Sequence, residues 1–244
     1  MDNRIIDFLY PPRCPVCDGL RPIGAPRCHP ECRRKLTPVG SCTCMLCGKP
    51  VPDETAEYCY DCASRGESSF ERGVSVYLYE GDIRDSMVRF KFHRREEYAG
   101  WYAEELLASQ GGKLTEFAAE AVIPVPIHRR KMRHRGYNQA ERIARELADN
   151  LDLPMYEDFL MRNRYTVPQK ELSNHERIRN LMRALEPGWQ AEVLARKGSV
   201  PKRVILVDDI YTTGSTLEAC SAVLHRTGVE HVMAATVCIG GGYS

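Results

Sequence analysis

The sequence lacks any apolar stretch approaching the ~20 residues that a bilayer-spanning helix requires. Its first residues, MDNRIIDFLYPPR, also lack the basic segment, apolar core and small-residue cleavage site of a secretory signal. We therefore expect a soluble chain in the cytoplasm, with no membrane insertion. Because that compartment is reducing, its cysteines are expected to bind metal or do redox chemistry and not to form disulfides.

There is also little excess charge of either sign. The 34 Lys and Arg residues nearly balance the 33 Asp and Glu residues, which gives a net charge of +1. Such a chain is not drawn as a whole to nucleic acid or to a membrane surface, so any attraction for anions must come from local groups of cations. Its 244 residues have room for one large core and a small module.

Cysteine is concentrated near the start of the chain. Nine of the 11 cysteines lie between residues 14 and 62, in a region rich in Pro and Gly and without helical periodicity. So small a region cannot bury enough apolar surface to fold without a cross-link or a metal. Strand and helix patterns begin after Gly66. We predict a Cys-rich zinc-binding module at residues 1–66 and a larger domain at residues 67–244.

The larger domain alternates predicted strands with predicted helices. The segments with these patterns are strands at 73–79, 121–125, 203–207 and 231–238 and helices at 83–93, 98–108, 138–150, 174–186 and 215–226. The basic stretch after residue 125, residues 152–172 and residues 187–201 are expected to be loops or connectors. This alternation is typical of an α/β fold in which helices cover both faces of a mainly parallel sheet.

The cysteine spacing repeats. The pair Cys14-x2-Cys17 is followed after eleven residues by His29-x2-Cys32, and the arrangement recurs thirty residues later with four cysteines. A CxxC pair presents two thiolates to one tetrahedral zinc ion, and four ligands close the site, so both ions would be structural. The predicted ligands of the two ions are Cys14, Cys17, His29, Cys32, Cys44, Cys47, Cys59 and Cys62.

Three alternatives stay open for these cysteines. Cys28 can replace His29, because the spacing Cys28-x3-Cys32 also suits a pair of zinc ligands. The four pairs can bind zinc in sequence or as a cross-brace, first with third and second with fourth. Redox-active or simply reduced cysteines are the third alternative, which the regular spacing disfavours. Cys220 and Cys238 lie in apolar stretches and are expected to be small buried hydrophobes.

A second motif, VILVDDIYTTGST, occupies residues 204–216. Its apolar start predicts a buried strand and its Thr/Gly/Ser turn predicts the beginning of a helix. At the carboxyl end of a parallel strand, such a turn offers amides, hydroxyls and the helix dipole to a phosphate. Asp208 and Asp209 suit the hydroxyls of an attached sugar, with Mg²⁺ nearby to offset charge. An ordinary helix cap is the alternative, but it needs only one such residue.

A basic segment precedes this motif. Residues 123–139, IPVPIHRRKMRHRGYNQ, carry five Lys and Arg side chains between Arg129 and Arg135, directly after a predicted strand. A pyrophosphate group needs cations and amides of this kind. The alternative is a solvated basic loop.

Residues 204–216 resemble, at every position, the thirteen-residue motif with which type I phosphoribosyltransferases bind 5-phosphoribosyl pyrophosphate (PRPP). The resemblance implies that Asp208 and Asp209 hold the ribose 2′ and 3′ hydroxyls. It also implies a 5′-phosphate site formed by Thr212, Thr213, Gly214, Ser215 and Thr216.

Nearly the whole chain is similar to the ComF family of competence-associated phosphoribosyltransferase-like proteins, of the ComFC type. Beyond the PRPP motif, the residues that carry this similarity are Val125, Pro126, Arg135, Gly136, Asn138, Gln139, Leu172, Ser173, Arg177 and Asn180. The resemblance implies a pyrophosphate loop that begins at Val125 and Pro126, with Lys91, Arg135 and Gln139 as further contacts. The family usually has cysteine where this chain has His29.

The resemblance implies a function in DNA uptake and leaves three activities open. The first is Mg²⁺-assisted transfer of a phosphoribosyl group from PRPP to an acceptor. Glutamine-dependent transfer is not expected, because it needs an N-terminal nucleophilic cysteine and residue 2 is Asp2. The second is PRPP sensing by a non-catalytic protein that handles single-stranded DNA through its zinc module and basic segment. The third makes the zinc module a docking platform for a competence helicase.

Overall fold

The computed structural model of the chain describes residues 11–164 and 174–241. Strands and helices alternate through most of this part of the chain. The strands described are β1 (Arg72–Val74), β2 (Tyr77–Leu78), β3 (Ala121–Pro124), β4 (Leu160–Arg162), β5 (Leu185–Pro187), β6 (Arg203–Tyr211) and β7 (His231–Ile239). The helices described are α1 (Pro30–Arg33), α2 (Tyr60–Arg65), α3 (Gly81–Phe92), α4 (Tyr98–Glu116), α5 (Arg129–Arg135), α6 (Gln139–Leu151), α7 (Asn174–Met182), α8 (Trp189–Lys197) and α9 (Ser215–Arg226).

Five of the strands form one parallel sheet. Its order is β1, β7, β6, β3, and β2 pairs with β7 further along the same side as β1. β4 and β5 form a separate antiparallel pair. The predicted strand at residues 73–79 is therefore two short strands, both hydrogen-bonded to β7. The mainly parallel sheet that the sequence predicts is confirmed.

Both faces of this sheet are buried. Along β6, Val204 and Leu206 pack in one apolar cluster with α9, while Ile205 and Val207 pack in another with α3, α4 and α6. Successive residues of a strand point to opposite faces, so a strand covered on both sides needs an uninterrupted apolar run. The run VILV at the start of β6 supplies it, and the prediction of helices on both faces is confirmed.

Three segments expected to be irregular contain regular structure. The basic stretch forms α5, which begins where His128 accepts a hydrogen bond from a backbone amide and ends at Gly136 in a left-handed conformation. Residues 152–172 contain β4, and residues 187–201 contain α8. The predicted helix at 174–186 is split between α7 and β5. Pairing between β4 and β5 explains this split, because short strands form where a partner exists and local sequence does not reveal the partner.

The Cys-rich module packs around the β1 edge of the sheet. Its first half places Val16 and Leu36 in the cluster that contains α3 and α4, and its second half places Val51 in the cluster that contains α9. Gly48 approaches β1 so closely that an added Cβ would lie 2.7 Å from the carbonyl oxygen of Gly73. The module therefore shares its apolar contacts with the sheet. The boundary near residue 66 stays a prediction.

No helix in residues 11–164 or 174–241 combines the length and the apolar character of a membrane span. The longest of them, α4, has 19 residues and includes charged side chains at Glu104, Glu105 and Lys113. The cytoplasmic location stays a prediction.

Candidate functional site

The carboxyl ends of β3 and β6 lie side by side. The two strands pair in parallel up to Pro124 and Val207, and the amide of Val125 donates to the carbonyl of Val207 at 2.8 Å. The residues after β3 therefore meet Asp208 and Asp209 of β6 at one edge of the sheet. Open parallel sheets bind their ligands at this edge.

A cavity of about 140 Å³ opens at this edge. It brings together eight of the residues predicted to contact PRPP, which are Lys91, Val125, Pro126, Arg135, Gln139, Asp208, Asp209 and Thr216. The rest of its lining consists of Ile127, Lys131, Asn138, Ala140 and Arg162.

A larger cleft, of about 450 Å³, lies at the opposite end of the sheet. Arg72 and Arg203, the first residues of β1 and β6, line it together with Glu71, Glu116 and Lys113. Its charges are mixed, and it is at the amino end of the strands, where open parallel sheets do not place their ligand sites. The smaller cavity is therefore the candidate site.

Two adjacent carboxylates form one side of the candidate site. The backbone amide of Asp209 donates to Asp208 Oδ1 at 2.8 Å, and Lys91 Nζ lies 2.9 Å from Asp209 Oδ2. Burial, and the nearby Asp209 carboxylate, raise the pKa of Asp208 to about 7. Near neutral pH, the proton on Asp208 can therefore be displaced by a cation or by hydroxyl donors.

Four cations surround the same cavity. Lys91 comes from the last turn of α3, Lys131 and Arg135 lie one turn apart on α5, and Arg162 ends β4. Arg135 donates to Gln139 at 2.8 Å and lies 5.2 Å from the ring centre of Phe92. Burial, and repulsion from Arg162, Arg135 and Lys91, lower the pKa of Lys131. Crowded cations of this kind are stabilised when an anion binds between them.

The sequence-based prediction of the site missed two of these cations. Arg162 lies in a stretch expected to be irregular, and no local signal connects it with the distant carboxylates of β6. Lys131 belongs to the recognised basic stretch, but its place in the cavity follows from the helical spacing of Lys131 and Arg135. If the basic stretch had been predicted to be helical, Lys131 would have been placed on the same face as Arg135.

The turn between β6 and α9 adjoins the cavity. Gly214, at the start of α9, has φ +75°, a left-handed conformation that favours glycine. Thr213 Oγ1 lies 2.8 Å from Ser215 Oγ, and Thr216 in the first turn of α9 reaches the cavity wall. The first amides of a helix have no partner within the helix and attract anions. Thr212, Thr213, Gly214 and Ser215 form this turn beside the cavity.

Two groups of potential metal ligands lie in the Cys-rich module. Within each group, the ligand atoms lie within 4.8 Å of one another. The pairs combine in sequence, first with second and third with fourth, so the cross-brace alternative does not fit the structure. The two groups are Cys14, Cys17, His29 and Cys32, and Cys44, Cys47, Cys59 and Cys62.

The geometry favours His29 over Cys28 in the first group. His29 Nδ1 lies 3.4 Å from Cys17 Sγ and 3.9 Å from Cys32 Sγ. Cys28 Sγ lies 3.7 Å from Cys14 Sγ, but it is not part of the group of four ligand atoms that lie within 4.8 Å of one another.

One cysteine in each group favours the thiolate form. Burial acts to raise the pKa of Cys14, but hydrogen bonds from backbone amides lower it to about 7. Hydrogen bonds from Cys47 and Cys62 hold the pKa of Cys44 well below its usual range. Three sulfurs and one nitrogen in the first group, and four sulfurs in the second, suit structural zinc, in which no position is left for a substrate.

Two family models match different parts of the chain. A model of the double zinc ribbon domain matches residues 5–63, and a model of the phosphoribosyl transferase domain matches residues 135–243. Competence protein F of Haemophilus influenzae is 31% identical over 224 residues, which cover 90% of this chain and 93% of the relative. This chain belongs to the ComF family.

Further relatives of this ComF protein are more distant. Competence protein ComFC of Bacillus subtilis is 26% identical to this chain. The aligned region covers 81% of this chain and 78% of the ComFC chain. The DNA utilization protein YhgH of Escherichia coli K12 is 27% identical to this chain, and the aligned region covers 80% of this chain and 83% of YhgH. A purine phosphoribosyltransferase structure from Pyrococcus horikoshii covers 57% of this chain and 82% of its own, with 15% identity and a TM-score of 0.32. That score is too low to bear on the fold.

Further residues of the ComF resemblance are Asn138, which lines the cavity, and Leu172, Ser173, Arg177 and Asn180 elsewhere in the chain. Asn138 donates from Nδ2 to the carbonyl of Val125 at 3.0 Å, and its Oδ1 accepts from the amide of Ala140 at the start of α6. Asn138 thus ties the segment after β3 to α6. Arg177 and Asn180 lie on α7, whereas Leu172 and Ser173 lie outside the described residues.

Proposed function

We propose that this ComF protein binds PRPP in the cavity at the carboxyl ends of β3 and β6. The observation that carries the proposal is the division of charge around one small space. Two adjacent carboxylates line one part of it, with Lys91 paired to Asp209, three further cations line it, and a helix-starting turn adjoins it. PRPP has hydroxyls at its centre and a phosphate or pyrophosphate at each end, which corresponds to this division.

The ribose is assigned to the carboxylates. Asp208 and Asp209 accept hydrogen bonds from the 2′ and 3′ hydroxyls, and ionised carboxylates form stronger bonds than neutral acceptors. The 5′-phosphate is assigned to the turn formed by residues 212–216, where hydroxyls and backbone amides are available. The resemblance to the PRPP motif and the match to a phosphoribosyl transferase model support both assignments.

The pyrophosphate is assigned to the opposite side of the cavity. Lys131, Arg135 and Arg162 supply positive charge there, and the backbone after Val125 supplies amides. Arginine suits a pyrophosphate because its planar group can donate two parallel hydrogen bonds. Asp208 and Asp209 would also help to hold Mg²⁺, which would offset the charge of the leaving group.

The same groups suit phosphoribosyl transfer. In that reaction the bond from C1 to the pyrophosphate oxygen breaks and its electron pair leaves with the pyrophosphate. An acceptor lone pair forms the new bond to C1, and the acceptor then loses a proton. Lys131, Arg135 and Arg162 would stabilise the departing charge, while Asp208 and Asp209 would hold the ribose in position.

The test has two stages. Calorimetry with PRPP, with and without Mg²⁺, measures binding, and release of pyrophosphate in the presence of candidate acceptors measures transfer. We expect PRPP binding that Mg²⁺ strengthens. An absence of binding at millimolar PRPP would overturn the proposal, whereas binding without pyrophosphate release would assign the pocket to sensing.

A second proposed function is the handling of single-stranded DNA during uptake, either directly or through a helicase-like partner. Relatives named for competence and for DNA utilization favour it. A physical basis exists on α5, where Arg129, Arg130 and Arg133 are exposed while Lys131 and Arg135 line the cavity. One short helix could therefore contact a nucleic-acid backbone and PRPP from different sides.

A further inference from the structure

Arg65 connects the second zinc group, which is the predicted ligand set Cys44, Cys47, Cys59 and Cys62, to the phosphate turn, which is residues 212–216. Arg65 is the last residue of α2, the helix that carries the zinc ligand Cys62. Its side chain is only 5% exposed. One of its nitrogens, Nη1, lies 3.0 Å from Glu218 Oε1, and the other, Nη2, donates to the carbonyl oxygen of Thr213.

Glu218 accepts hydrogen bonds from Arg65 and from the segment that directly follows it. It lies in the first turn of α9, and its side chain is 5% exposed. Besides Arg65, it accepts hydrogen bonds from the hydroxyl of Ser68 at 2.7 Å and from the amide of Ser69 at 2.8 Å. A buried carboxylate with this set of donors fixes the start of α9 to the segment that follows the second zinc group.

The contact with Thr213 sets the direction of a backbone amide. In a trans peptide the carbonyl and the following N–H point in opposite directions. Because the Thr213 carbonyl points to Arg65, the N–H of Gly214 points away from Arg65. The amide of Gly214 is therefore held by a side chain of the zinc module.

The space around Gly214 is closed by the same side chain. A Cβ added to Gly214 would lie 2.4 Å from the hydroxyl of Tyr211 and 2.9 Å from Arg65 Nη1. The turn therefore has little freedom to move toward the zinc module.

We propose that Arg65 is a positioning residue that couples zinc at the second group to the 5′-phosphate turn. Zinc holds α2, α2 holds Arg65, and Arg65 holds the Thr213 carbonyl and Glu218 so that the turn keeps its anion-binding conformation. Zinc at the first group has no such connection through the described residues. The inference rests on the proposed PRPP site, since it assigns the turn to the 5′-phosphate.

The chain offers a control in Arg33, whose side chain is more exposed than that of Arg65. Like Arg65, Arg33 ends a short helix of the zinc module and pairs with a glutamate on a helix of the larger domain, with Nε 2.9 Å from Glu105 Oε1. Its partner lies on α4, which does not carry the phosphate turn. If an Arg65 variant lost order at the turn only because the zinc module had detached from the larger domain, the same loss should appear in an Arg33 variant.

Hydrogen–deuterium exchange tests the positioning without any ligand. We expect Arg65→Lys to increase exchange at residues 213–218 at least fivefold, because lysine can pair with Glu218 but cannot also donate to Thr213 in the same geometry. Arg33→Lys should leave exchange there unchanged. Exchange at this turn that is unaffected by Arg65→Lys in a folded protein would overturn the proposal.

A second pair of variants tests the dependence on zinc. Cys59→Ser removes one ligand of the second group and Cys17→Ser removes one of the first, and metal analysis should find about one zinc ion fewer in each. Only Cys59→Ser should increase exchange at residues 213–218. An equal increase in hydrogen exchange at residues 213–218 in both cysteine variants would show that the zinc module as a whole had become less ordered, and would overturn the coupling.

Ligand affinity completes the test. Arg65→Lys and Cys59→Ser should bind PRPP and ribose 5-phosphate roughly tenfold or more weakly than wild type, and Arg33→Lys and Cys17→Ser should bind within about twofold of it. Wild-type affinity in Arg65→Lys would overturn the coupling. If wild type itself fails to bind PRPP, the proposed function is wrong, and the exchange results decide the positioning role independently.

Discussion

Lys91 and Asp209 form an ion pair across the candidate site, with Nζ 2.9 Å from Oδ2 and side chains that are 17% and 12% exposed. The pair joins the end of α3 to β6, two elements that are far apart in sequence. A ribose hydroxyl that binds Asp209 must share this carboxylate with Lys91. The ammonium group of Lys91 has further N–H donors, which are available to the same ligand.

Asp209→Ala should separate sugar recognition from phosphate recognition. It removes a hydroxyl acceptor and leaves Lys91 without its partner, so PRPP affinity should fall roughly ten- to a hundredfold. Inorganic phosphate affinity should change much less. Calorimetry with both ligands measures the difference, and Glu230→Ala, which breaks an exposed ion pair with Lys202, is the control. Equal PRPP affinity in Asp209→Ala and wild type would contradict the ribose assignment.

Thr213→Val should weaken both PRPP and ribose 5-phosphate, because it removes a hydroxyl that lies 2.8 Å from Ser215 Oγ in the turn. A roughly tenfold loss is expected for each ligand. Thr213→Ser keeps the hydroxyl and should restore most of the affinity. If serine and valine behave alike, the hydroxyl does not contribute to the phosphate site.

Asp208 should make the stability of the ligand-free protein depend on pH. Its pKa is raised to about 7 from an ordinary value of 3.8, so the folded chain holds this proton more tightly than the unfolded chain does. The resulting stabilisation is present below about pH 4 and is lost as the pH rises through about 7. Between about pH 5 and about pH 8, Asp208→Asn should therefore gain stability relative to wild type, by roughly 1 kcal/mol or more.

Thermal melting of both proteins across that range measures this effect, which corresponds to about 2–4 °C in Tm for a chain of this size. PRPP affinity should change in the opposite sense, since the ionised carboxylate is the better hydroxyl acceptor and affinity should rise with pH. A difference in Tm between Asp208→Asn and wild type that does not vary with pH would contradict the raised pKa.

The two sides of α5 should respond to different ligands. Reversing the exposed charges, with Arg129→Glu, Arg130→Glu and Arg133→Glu together, should weaken single-stranded DNA binding and reduce its dependence on salt while PRPP affinity is kept. Lys131→Glu should weaken PRPP binding instead. Absence of DNA binding at low salt in wild type would leave partner docking as the route to DNA uptake.

Metal analysis should find two zinc ions per chain, and the ligand sets predict which variants lose one. His29→Ala should lower the zinc content by about one ion, whereas Cys28→Ala should retain both. The reverse result would assign the fourth ligand to Cys28. If the purified protein contained almost no zinc and all its thiols titrated freely, the prediction of a zinc-binding module would be wrong.

Much of this organisation could be predicted from local sequence. The strand and turn at residues 204–216 are visible because an apolar run, two carboxylates and a Thr/Gly/Ser turn follow one another without interruption. The zinc ligands are visible because metal geometry restricts their spacing. In both cases the signal lies within a few tens of residues.

The parts that sequence did not reveal depend on distant partners. Arg162 reaches the cavity because β4 pairs with β5, and Arg65 reaches Thr213 because the module packs against α9. Neither relationship leaves a pattern in the residues around it. The same reason explains the missed strands β4 and β5, since so short a strand is stabilised by its neighbour and not by its own composition.

The position of β7 has a consequence for the order in which the protein matures on the ribosome. β1 and β2 pair only with β7 among the described strands, and Arg72 has Met233 as its partner. The zinc ligands therefore emerge and can take up metal long before the strand that completes their side of the sheet has been translated. Arg65 can therefore meet the turn that it holds only after residues 213–218 have also been translated.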